Sequence, residues 1–104
     1  EMSESSEGNN IKRLTKLSSS GDYYVLDSNM VFCVNDEYRG EAVEKLAKFE
    51  NLYQYLMEMQ KNIPAEMDKL REQNKTKSYR FKELMAQKLL HENMLNLLSL
   101  YGLG

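Results

Sequence analysis

The chain carries a single cysteine, a single proline, a single histidine and no tryptophan in its 104 residues. Each scarcity excludes something. Cys33 has no second cysteine to pair with, so the fold must stand without an internal cross-link. That composition points to a reducing compartment, the cytoplasm or nucleus. No apolar run approaches the roughly 20 residues that a membrane-spanning helix requires, and the start shows no basic-then-apolar signal segment. Charge of one sign is also lacking. The net charge is −2, so global electrostatics do not select a nucleic acid as partner.

Chemistry-bearing patterns are missing as well. There is no Gly-rich phosphate loop, no G-x-S-x-G elbow, no H-E-x-x-H or C-x-x-C spacing and no paired-carboxylate motif. His91 has Glu83, Lys88 and Glu92 near it in sequence but no second histidine. It is expected on a helix surface. Cys33 lies inside an apolar run and is expected to be a packing residue. The chain is therefore read as non-enzymatic, with no metal and no cofactor.

What is present is unevenly spread. Hydrophobic residues make up 41% and charged residues 29%, yet residues 1–22 hold only Met2, Ile11, Leu14 and Leu17 from the apolar set. So little apolar surface does not offset chain entropy, and residues 1–22 are expected to form a flexible N-terminal arm. Within it, Ile11, Leu14 and Leu17 share helical spacing behind Asn10, a fitting N-cap. One or two isolated turns are marginal in water, so that stretch is expected to order only on docking.

The remaining residues, 23–104, are read as one association domain. Tyr23–Leu26 and Met30–Val34 are rich in β-branched and aromatic side chains, and Asp27-Ser28-Asn29 between them has turn composition, which predicts a β-hairpin. Asn35 to Gly40 is the hinge into helical sequence, with Asp36 as a candidate N-cap. From Glu41 to Lys61, Ala42, Leu46, Phe49, Leu52, Tyr53, Leu56 and Met59 share one helix face. Pro64 removes an N–H and disfavours helical geometry at Ile63, so the first helix is expected to end near Lys61 or Asn62. A second helix should start at Pro64, fold back antiparallel and stop at Gly102, with Asn74 to Ser78 a weak spot inside it. The fold class is thus mainly α: a β-hairpin followed by an antiparallel helical hairpin, a short coiled coil or bundle. Leu46, Phe49, Tyr53, Leu56, Gln60 and Ile63 alternate three and four residues apart, as do Met67, Leu70, Asn74, Lys77, Phe81 and Leu84, with polar Gln60, Asn74 and Lys77 interrupting the pattern.

Two features bear on function. In the second helical region Met67, Leu70, Phe81, Leu84 and Met85 occupy one stripe, but from Lys88 onward that angular position holds Lys88, Glu92, Asn96 and Ser99. Apolar residues move to other sides. A helix whose apolar face shifts or widens must be covered by more than one neighbour. The hairpin strands could supply that cover within one chain. The favoured reading is that the segment packs on its own hairpin and on another subunit, in a dimer or tetramer, with Leu89, Leu90, Met94, Leu97, Leu98 and Tyr101 at the subunit or partner interface.

The second feature is the basic run from Lys69 to Lys82, interleaved with Tyr79 and Phe81. Such a cluster can neutralise phosphates. Helical projection instead places Arg71, Lys75 and Lys82 on one flank of the apolar stripe and Arg80 on the other, the usual layout around a buried seam. A solvated flank is the favoured reading, and a basic partner surface made by Arg71, Lys75, Arg80 and Lys82 the alternative. The functional expectation is a protein–protein interaction and self-association module, an adaptor or the oligomerisation domain of a larger protein. The alternative is a small nucleic-acid-associated regulator.

Overall fold

The computed structural model describes residues 11–104. Four short strands precede two long helices: β1 (Thr15–Leu17), β2 (Tyr24–Leu26), β3 (Phe32–Val34), β4 (Glu37–Arg39), α1 (Glu41–Glu72) and α2 (Tyr79–Leu100). The chain divides into two compact units, Glu1–Ala47 and Lys48–Gly104.

The first unit holds two antiparallel strand pairs rather than the single hairpin expected across residues 23–34. β1 pairs with β2, Lys16 opposite Val25. β3 pairs with β4, Cys33 opposite Tyr38. Each misreading has a local cause. Thr15–Leu17, placed by the sequence in a docking helical turn, is a strand. Three leucine and isoleucine positions over two turns are too few to separate the helical period from a strand that opens with a β-branched residue. Residues 1–10 of the expected arm lie outside the described residues.

Asn35 and Asp36, taken as hinge and N-cap, form the two-residue loop between Val34 and Glu37. Their φ values are 53° and 64°. Positive φ at both central positions is what a type I′ turn demands, and Asn and Asp tolerate it best after glycine. This turn pulls Phe32–Val34 away from β2 and onto its own partner. β4 then runs into Gly40, whose φ is +134° and whose added Cβ would sit 2.4 Å from the Met30 carbonyl oxygen. Only glycine fits that approach.

α1 runs unbroken from Glu41 to Glu72, through Pro64. This corrects the expected break at Lys61 or Asn62. Proline inside a helix leaves the carbonyl four residues back, here Gln60, without its donor, and costs about 3 kcal/mol. Continuing the helix keeps Leu56, Ile63 and Met67 in one buried row. Burying each such side chain is worth about 1.5–3 kcal/mol, so packing on both sides of Pro64 outweighs the local penalty.

The reversal happens instead at the polar stretch after Glu72. Asn74 adopts φ 58°. Its N–H donates to the Arg71 carbonyl at 3.0 Å, and the Lys75 N–H donates to the Leu70 carbonyl at 2.8 Å. This is a Schellman ending with asparagine in the left-handed position. Ser78 then caps α2, its Oγ accepting from the Phe81 N–H at 3.1 Å. Gly102 stops α2 as the sequence predicts. Its φ is 75°, and the Leu103 N–H reaches the Leu98 carbonyl at 2.9 Å.

Within the second unit α2 lies antiparallel on α1. Arg80, near the start of α2, meets Glu66, while His91 further along meets Tyr55. The core is small: Ile63, Met67, Phe81 and Leu84, with Met59 and Leu70 packed against it. Leu56 is fully buried nearby. No helix is long and apolar enough to cross a membrane among the described residues.

Candidate association surface

α2 carries two rows of side chains on opposite sides. The inner row faces α1. It runs Phe81, Leu84, Lys88, His91, Leu95 and Leu98, spaced three and four residues apart, and each of these is buried or half-buried. The phase shift expected after Lys88 is therefore absent. Polar residues occupy the middle of one continuous row, and they mimic a change of phase.

His91 is the clearest correction. Placed on the surface by the sequence, it is 8% exposed. Its ring meets the Tyr55 ring edge-on, centroids 5.5 Å apart at 83°. Its Nδ1 is buried with no hydrogen-bond partner. Beside it Lys88 donates to Glu92 at 2.9 Å. These three residues, with Met59, Gln60 and Pro64 from α1, line a cleft of about 260 Å³. The polar part of the inner row thus sits opposite the part of α1 where proline interrupts the backbone ladder. The cleft's polar lining from α2 is the Lys88–Glu92 ion pair and the buried imidazole of His91. Among the described residues no three His, Cys, Asp or Glu side chains cluster so as to hold a metal ion. Cys33, expected to be buried, is exposed on β3.

The outer row of α2 is uncharged, apolar apart from Asn93, and exposed. Leu89 is 59% exposed, Leu90 56%, Leu97 57%, Leu100 82% and Tyr101 76%. Of the interface residues expected from sequence, Leu89, Leu90, Leu97 and Tyr101 lie on this open side. Met94 and Leu98 do not: Leu98 belongs to the inner row, and Met94 is half-buried on a flank. Leu100, the most exposed leucine of the helix, is absent from that expected set. Its position one heptad beyond Asn93 and three residues past Leu97 is the signal that would have placed it. Residues 93–104 contain no charged side chain at all. The solvent face of α1 differs completely: Lys48, Asn51, Gln54, Glu58 and Lys61 are all exposed there.

The basic run is partly committed within the fold. Arg80 donates to Glu66 at 2.8 Å and to Glu83 at 2.7 Å. Hydrogen bonding first to Glu66 and then to Glu83 raises its pKa above the ordinary arginine value, so it stays charged and ties the two helices together. Arg71 donates to Asp68 at 2.6 Å and lies over the Phe81 ring at 5.2 Å from its centroid. Lys75 and Lys82 are exposed beside them.

Set against protein-family models, curated proteins and solved structures, the chain matches none of them.

Proposed function

We propose that this chain is a non-enzymatic protein–protein interaction and self-association module, an adaptor or oligomerisation domain acting inside the cell. The outer face of α2 is the associating surface. One observation carries this reading: a row of leucines, each more than half exposed, runs along a helix whose last turns bear no charged side chain. Isolated surface leucines are ordinary, but a row of them interrupted only by the uncharged Asn93 marks a binding site. Depletion of charge is the compositional signature of an interface core. The small intrachain core adds support, because a unit this short commonly completes its burial by association. The single exposed thiol of Cys33 suits a reducing compartment. The carboxylate partners of Arg71 and Arg80 weigh against a phosphate-binding role for that flank.

Sedimentation equilibrium tests the proposal. The full chain is expected to run as a dimer or tetramer at micromolar concentrations. Leu90→Asp combined with Leu97→Asp should give a folded monomer, with helicity retained by circular dichroism. A wild-type chain that stays monomeric across that range overturns the proposal. So does a charged double variant that associates as well as the wild type.

A further inference from the structure

We infer that a second copy of this chain covers the outer face of α2 with its own α2, parallel and in register, so that Asn93 faces its counterpart. The inference rests on the self-association reading above and adds the geometry that reading leaves open.

The outer row has its own register. Ala86, Leu90, Asn93, Leu97 and Leu100 follow one another at alternating intervals of four and three residues. At 100° per residue they fall within an arc of about 80°, on the side of α2 away from Phe81, Leu84 and His91. All five are exposed. This is the spacing of a coiled-coil seam, and within the second unit it stands unpartnered. A helix that already uses one seam on α1 and carries a second on its back is built for a bundle of more than two helices. Two hairpins joined back to back through α2 supply four.

The occupant follows from charge and polarity. A two-fold interface sets a surface patch against itself, so any charge on the patch meets its own sign. From Ala86 to Leu100 the outer seam has none: Glu92, next to it in sequence, is bound to Lys88 on the inner flank, and the exposed Lys82 of the same face lies one turn before it. A partner recognised by charge would find nothing here to read. A second copy finds a surface that does not repel it.

Orientation follows from Asn93, the only polar member of the row. Its amide offers two donors and an acceptor, and in a closed seam these need partners. Antiparallel pairings that preserve the leucine layers set Asn93 against Leu90 or Leu97, neither of which can answer it. The parallel, in-register pairing sets Asn93 on Asn93, amide to amide, with Leu90, Leu97 and Leu100 stacked on themselves. Asn93, three residues after Leu90 and four before Leu97, takes the d-type place in the seam, and a polar layer there favours the register that pairs it with itself, at a cost in stability.

Cross-linking reads the geometry directly. In the full chain carrying Cys33→Ser, so that no other thiol is present, Leu97→Cys and Leu100→Cys are prepared separately and oxidised in a glutathione redox buffer. Each is expected to form a covalent dimer nearly quantitatively. Gln54→Cys, on the charged face of α1, is expected to form little. Sedimentation of the reduced Cys33→Ser chain is run alongside. If that chain is dimeric but neither seam cysteine cross-links, the parallel register is overturned while the self-association reading stands. If it is monomeric, both fall. A second measurement does not depend on disulfide geometry: Asn93→Leu should bind at least as tightly but lose its single oligomeric state, sedimenting as a mixture of sizes. A clean dimer from Asn93→Leu, with unchanged affinity, overturns the role given to Asn93.

Discussion

The two compact units are held in different ways. In the first, no described residue is fully buried, and Tyr23, Tyr24, Phe32 and Tyr38 stand more than half exposed. Its order comes from turns and short-range pairs: the left-handed Asn35 and Asp36, the tight approach at Gly40, the ion pair of Lys16 with Asp27 at 2.9 Å and Arg13 over the Tyr24 ring. In the second unit every buried residue of the described chain is found, from Leu56 to His91. There the local chemistry is poor in places, with proline inside a helix and a histidine inside a core row, and packing overrides it. Turn residues can dictate the path of a chain without burying much, whereas a helix pair tolerates bad local residues once its apolar rows meet. Isolated strand pairs this short are marginal in water, so the first unit is the one with less to lose.

Mutations can break that comparison. The largest effect is expected from Leu84→Ala, which removes most of a side chain that is 1% exposed. It should destabilise the helical pair by about 2–5 kcal/mol, read by urea denaturation followed by circular dichroism. The amide resonances of β3 and β4 should hold their positions in the variant under native conditions; their collapse together with the helices would mean that the two units are not separately held. Gly40→Ala comes next. Strain at that φ, together with the clash on the Met30 carbonyl, should cost about 1–3 kcal/mol, and the loss should appear as faster hydrogen exchange at the β3–β4 amides with the helical transition unmoved. The smallest effect is expected from Ser78→Ala, which deletes the cap accepted from Phe81. A loss of about 1 kcal/mol in the helical transition is typical of such a cap. No change there would mean that the Schellman ending at Asn74 sets the helix reversal alone.

Much of the helical pair was legible in the sequence, because its rows repeat. Leu56, Ile63, Met67, Phe81 and Leu84 all fall on the three-and-four spacing, and Gly102 stops α2 where its conformational freedom is needed. Other features were hidden by competition between levels. Pro64 is a strong local signal, but it acts over one turn, while the buried row it interrupts acts over several. Asn74 to Ser78 read as a weak spot and is the reversal itself, since asparagine in the left-handed position ends a helix as glycine does. Asn35-Asp36 was hard to see as a hairpin loop because the strands it joins are only three residues each. At the association surface, Leu90 and Leu97 were legible as outward residues. Met94 and Leu98 were not separable from them without knowing that His91 belongs to the row facing α1. A lone polar residue in an apolar row changes the apparent direction of that row.

The uncharged end of α2 has a consequence for how such a contact would respond to its surroundings. Added sodium chloride screens attractions between ions, and residues 93–104 have no charged side chain to be screened. An interface resting on that face should therefore hold from dilute to concentrated salt, and tighten in sulfate, which strengthens apolar burial by its exclusion from the protein surface. Cooling should loosen it, as the driving force of apolar burial fades at low temperature. Two copies of this chain would come apart in the cold room sooner than in brine.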